Sequence, residues 1–161
     1  MSDESTALLD TLQSQRRHVL AAVEGLTPEQ LRQSVLPSGW TPLGLVHHLA
    51  VDVERFWFRA VMADDQSAWA SYDGAPSAWQ VPDGVDPLAL YRDEIERADA
   101  VICGSTPDTP PATWPEELFG SFRLDDLREV LLHVITETAC HAGHLDAARE
   151  LLDGHQHMVL A

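Results

Sequence analysis

The chain has 161 residues, 45% of them hydrophobic, which suits one globular domain with a single core and excludes a disordered chain. Its 10 basic residues stand against 26 acidic ones, a net charge of −16 that repels phosphate backbones and argues against nucleic acid as a partner. No apolar run approaches the ~20 residues of a membrane span, and the acidic start MSDESTALLD lacks the basic and apolar regions of a signal peptide, so cytoplasmic residence is expected.

From about Thr6 to Glu24, the spacing of Leu8, Leu12, Val19 and Val23 predicts a first amphipathic helix, ended by Gly25. Thr27, Pro28 and Gln30 then form a helix-start signal, but the helix must be short because Pro37, Ser38 and Gly39 break the pattern. Trp40-Thr41-Pro42 repeats the signal and opens a second long helix to about Met62, with Leu45, Leu49, Val53, Phe56 and Ala60 as its core stripe. Val51, Phe58 and Val61 make it apolar on the opposite side too, as for a deeply buried helix or one that meets a partner. This hints at a homodimer, and a covering loop would explain it equally well.

Residues 63–85 hold Gly74, Pro76, Pro82 and Gly84 with Trp69, Tyr72 and Trp79 between them, a long functional or packed loop. Its aromatic residues either plug one end of the helices or wall a substrate site. Asp86-Pro87 starts a third long helix through Leu90, Ile95, Ala98 and Ile102 to Gly104, and the Pro/Thr-rich residues 105–115 are irregular. Asp126 and Glu129 make a capping box for a last helix that runs to Asp153 and stops at Gly154. Its seam, Leu127, Leu131, Val134, Thr138, His141, Leu145, Ala148 and Leu152, alternates by four and three, which is bundle patterning. Cys103 and Cys140 make no metal or redox motif and are expected as reduced, largely buried thiols. The tail carries His155 and His157, expected to be frayed and without function.

The chemistry concentrates in ITETACHAGHLDAAREL, where Glu137, His141 and His144 share one face of the last helix. A carboxylate and two imidazoles beside an apolar stripe are costly to hold unless something binds them, and a metal ion is the expected occupant. His141 takes a seam position where leucine would pack better, and Glu137 one turn earlier can reach the same ion. The pair by itself is equally compatible with a surface contact at a helix edge. A third ligand must come from another helix, and the second offers His47 and His48. At ~100° per residue His48 falls at the border of the core stripe and His47 outside it. His133 sits further from the seam and is read as structural or solvated. Three protein ligands leave coordination positions open, as in catalytic metal sites.

GWTPLGLVHHLAVDVERFWF and, far downstream, LREVLLHVITETACHAGHLDAARELLDG resemble the DinB/YfiT-like superfamily, in its mycothiol S-transferase branch. The resemblance covers nearly the whole chain. It implies an all-α fold, a four-helix bundle of DinB/YfiT-like type with a long loop between helices 2 and 3, as a single domain over residues 1–161. It also implies a divalent metal, zinc or nickel, on one histidine of the second helix and an H-x-x-x-H pair of the last. Those positions fall on His48, Glu137 and His141. Glutamate in the pair's first position also occurs in the related mycothiol-dependent maleylpyruvate isomerase, and lowers affinity for soft metals somewhat. His144 falls outside the ligand set, as a hydrogen-bond donor to it, a pocket wall or a proton carrier. Cys140 stands where relatives commonly have arginine.

The function expected on these grounds is a metal-dependent transferase that joins a low-molecular-weight thiol, mycothiol by resemblance, to an electrophilic small molecule. Reversible thiol addition would make it an isomerase instead. The alternative is a non-catalytic metal- or small-molecule-binding stress-response module with the same ligands. A ferritin-like di-metal oxidase is disfavoured, since it needs carboxylates from several helices, and two ions per chain would be its signature.

Overall fold

The computed structural model describes residues 2–72 and 79–158, which are all-helical with no strand among them. The elements are α1 (Asp3–Val23), α2 (Pro28–Leu31), α3 (Pro42–His48), a continuous π-wound extension (Leu49–Met62), α4 (Gln66–Ser71), α5 (Pro87–Cys103), α6 (Glu116–Phe119) and α7 (Leu127–Asp153). Among the described residues no helix is long and apolar enough to cross a membrane.

Polar caps set the starts. Thr27 and Gln30 exchange both arms of a capping box, at 3.2 and 2.9 Å. Thr41, Asp65 and Asp86 each accept a backbone N–H of the helix that follows. Ser2 caps α1 with Asp3 and Glu4 in its first turn, so the helix begins three residues before the apolar periodicity does. Asp126 accepts from the Glu129 N–H at 2.9 Å, but Glu129 reaches back to the N–H of Asp125 at 2.7 Å, one residue short of a closed box. Gly154 ends α7 in the left-handed region at φ 77°.

Helix α1 lies along α7, and the π-wound segment lies along α5 and also meets α7. The α7 seam is buried from Leu127 to Ala148, with Leu152 half-buried. In the π-wound segment hydrogen bonds step by five, as in the 3.1 Å bond from Ala63 N–H to the Phe58 carbonyl. Val53, Phe56, Phe58 and Val61 are all buried along this segment. Phe58 and Val61, which looked like a second apolar face at a period of 3.6, are 0% exposed within the protomer itself. The homodimer hint thereby loses two of the residues that carried it.

Several expectations need correction. The long segment after the second helix contains α4, whose Trp69, with Tyr72 just beyond it, packs on Phe56 at ring distances of 5.7 and 4.6 Å, so Trp69 plugs the helices while Tyr72 also faces a cavity beside them. Gly74 and Pro76 lie outside the described residues. Cys103 and Cys140 are exposed rather than buried, because both lie off the faces that pack. The tail folds back far enough for His157 to stack on His18 at 4.0 Å, so it is not simply frayed.

Charged groups thread the packed helices as well. Arg16 of α1, 1% exposed, forks onto Glu54 of the π-wound segment, 0% exposed, at 2.7 and 2.5 Å, and reaches Asp99 of α5 at 2.7 Å. Glu94, also buried, receives Arg55 and Arg59, and Arg59 continues to Asp65. Hydrogen bonds from Ser67 and then Arg59 hold the Asp65 carboxyl well below the usual carboxylate range. Its folded pKa is thus depressed, so its stabilising contribution is full above the unfolded value of ~4 and is lost as pH falls below it. The expected result is a melting temperature that drops on acidification from pH ~5 to ~3, with a shallower drop in Asp65→Asn, which keeps a good cap. Parallel slopes for the two proteins would refute the assignment.

Candidate metal centre

Three side chains from two helices converge. His48, the last residue of α3, and Glu137 and His141 of α7 each offer one ligand atom, and these atoms all lie within 4.8 Å of one another. The rings of His48 and His141 are 5.1 Å apart and nearly perpendicular, and His141 Nε2 is 3.5 Å from Glu137 Oε1. Two imidazoles and a carboxylate at this spacing suit a borderline divalent ion with positions left open. Of the α7 trio, His141 is buried, Glu137 is 41% exposed and His144 is exposed. The desolvation cost expected of all three therefore falls mainly on His141. The His141 ring beside it holds the Glu137 carboxyl below its ordinary range, against partial burial that raises it, which keeps it ionised for a cation.

The surroundings orient the donors. Asp52 accepts the Nδ1–H of His48 at 2.9 Å, one helical turn on, which leaves Nε2 with the available lone pair. His144 Nδ1 lies 3.4 Å from His141 Nδ1, so one ring donates and the other accepts. Trp79 stacks on His48 at 4.2 Å and 14° and meets His141 edge-on at 5.5 Å. Unlike Trp69, it walls the centre. Neither Asp52 nor the Trp79 contact was read from the sequence, although Asp52 stands four residues after His48, a spacing that places it on the same face.

Gly44 makes the Trp79 placement possible, since a Cβ there would collide with the Trp79 carbonyl oxygen. Alanine gains ~1 kcal/mol of helix propensity over glycine, whereas overpacking costs ~1–3 kcal/mol. Gly44→Ala is therefore expected to be net destabilised, with altered tryptophan fluorescence. A variant as stable as wild type, with an unchanged spectrum, would contradict this packing.

His47 was expected outside the core stripe, yet it is buried, because α5 packs against that side of α3. It lines a cavity of about 510 Å³ with Val51, Asp52, Arg55, Phe56 and Tyr72 among others. Asp52 is common to this cavity and to the histidine it orients. His133 is half-buried against Trp57, 4.7 Å between rings, and burial pushes its pKa down. It is not part of the cluster.

The family model for mycothiol S-transferase matches residues 7–154. The chain belongs to the mycothiol S-transferase family. A search of the curated proteins returned no match. Within this mycothiol S-transferase family member, Glu137 and His141 sit on the helix that also carries the matched C-terminal segment, and His48 sits in the matched N-terminal half.

Proposed function

We propose that the protein is a metal-dependent S-transferase, acting in the cytoplasm as one domain over residues 1–161. Its four long helices would form the DinB/YfiT-type four-helix bundle. His48, Glu137 and His141 would hold one divalent ion, zinc or nickel. When bound, such an ion stabilises the thiolate form of a low-molecular-weight thiol at neutral pH. The convergence of three ligand atoms within 4.8 Å supports the reading most strongly, and the family match supports mycothiol as the thiol.

The chain's own groups divide the remaining work. Asp52 fixes the His48 ring, and Trp79 covers the same ring on its face. His144, exposed and next to His141, takes the thiol proton and passes it to water. The sulfur then forms a bond to the electrophilic carbon, and the leaving group departs with its electron pair. The adjacent cavity, with apolar Val51, Phe56 and Tyr72 beside Arg55, suits the body of a small electrophile.

The test is consumption of mycothiol with monochlorobimane, followed as the fluorescent conjugate with release of chloride. Metal-loaded protein is expected to turn over, and chelator-stripped protein to lose the activity and regain it on adding zinc or nickel. Absence of turnover with every cellular thiol would leave a metal-binding module without catalysis.

A further inference from the structure

A second group of donors lies on the other side of α7. His18 Nε2 of α1 is 3.0 and 2.9 Å from the two carboxylate oxygens of Asp146 of α7. His157 of the tail stacks on the His18 ring at 4.0 Å and 27°. One ligand atom from each of these three residues lies within 4.8 Å of the others. We propose that His18, Asp146 and His157 form a second divalent-cation site, separate from the centre at His48, that clamps the C-terminal tail onto α1 and α7.

The donor chemistry selects the ion class. Two imidazoles and one carboxylate suit zinc, nickel or copper and suit magnesium or calcium poorly. A plain ion pair accounts for His18 and Asp146, and at 22% and 24% exposure it would contribute little to stability. It leaves His157, held on the same ring by stacking, as a third donor within reach of the same position. The tail's return is built into the chain: Gly154 turns out of the helix at φ 77°, and the His155 N–H is held by Asp153 at 3.0 Å. The donors come from three separate segments, so the ion would stabilise a tertiary arrangement, as structural metals do. His157 is exposed, which leaves this ion more open to water and more readily exchanged than the one between α3 and α7.

The site does not rest on the transferase reading, and one experiment separates the two. Zinc is titrated calorimetrically into the metal-free full chain, and hydrogen exchange of residues 155–158 is followed in parallel. Wild type is expected to take up ions in two steps, with the tail amides protected in the weaker one. His157→Ala, an exposed position that leaves the packed helices intact, and His18→Ala should weaken that step ~10-fold or more and leave the tighter one unchanged. Glu137→Ala should do the reverse. Identical titrations for wild type and His157→Ala would overturn the proposal. So would loss of both steps in Glu137→Ala, which would put two ions at one centre in the manner of a di-metal oxidase.

Discussion

Glu54→Ala is expected to lower the unfolding free energy by ~3–5 kcal/mol, a large share of the ~5–15 kcal/mol that holds a typical domain together. Glu54 is 0% exposed and Arg16 is 1% exposed, so neither charge can turn to water when its partner is removed. Burial pushes the Glu54 carboxyl up, with the Arg16 guanidinium pulling against it. Burial also works against Arg16, which Glu54 and Asp99 nonetheless carry above its ordinary value. Desolvation is thus the leading effect on both partners, and the bidentate contact offsets it. Removing one partner keeps the desolvation and loses the offset, which makes a single deletion worse than a double one. At ~2–4 °C per kcal/mol for a chain of this size, the melting temperature should fall by ~6–20 °C. Arg16→Met combined with Glu54→Leu should recover most of that loss, because apolar replacements of similar volume carry no stranded charge. The check is a double-mutant cycle by denaturant unfolding. A single-variant loss under ~1 kcal/mol would mean that water reaches the pair.

That pair also shows where the sequence was legible and where it was not. The caps and breakers act locally, so Thr27, Thr41, Asp86, Asp126 and Gly154 could be read directly as element boundaries. The α7 seam could be read too, because a 3.6-residue period with one buried face is a linear signal. Arg16 fills the gap between Leu12 and Val19 on the α1 stripe, but nothing local to α1 names the acidic partners that let it stay there. A period of 3.6 placed Val53, Phe56 and Ala60 in the core correctly, but Glu54 lies off that stripe and is buried because this segment is covered on several sides, which no single-helix period encodes. His47 was misplaced for a related reason: a wheel describes one helix, and burial on its outer side depends on α5 packing over it. Within the candidate centre, Glu137 and His141 announced themselves by i,i+4 spacing, and His48 by its place at the border of the stripe together with the resemblance. Trp79 could be read only as plug or wall, because its place is set where its own carbonyl passes against Gly44, and nothing local encodes that approach.

Alanine in place of His48, Glu137 or His141 is expected to remove the ion between α3 and α7 from each variant, where wild-type protein should retain about one tightly held ion there per chain. With three protein donors, losing one leaves two, too few to compete with water for a zinc- or nickel-type ion at ordinary free concentrations. Asp52→Ala is the more discriminating variant, because Asp52 touches His48 and not the ion position. Without that acceptor the His48 ring is free to turn and to put the proton on the wrong nitrogen, so affinity should fall ~10–100-fold, or ~1.4–2.7 kcal/mol, with the ligand set intact. Asp52→Asn keeps an oxygen acceptor for the Nδ1–H and should recover part of the loss, which separates orientation of the ring from the carboxylate's charge. His144→Ala should keep the ion and lose thiol-transfer rate, since its Nδ1 meets His141 on the side away from Glu137. Elemental analysis of each purified variant, with competition against a chromogenic chelator for the affinities, supplies the numbers. Binding also requires unprotonated imidazoles, so the ion should be released as pH falls, with proton uptake by the freed ligands. Full retention of the ion by Glu137→Ala and His141→Ala together would show that these side chains meet as an ordinary helix-edge contact, and the transferase reading would then have no metal to rest on.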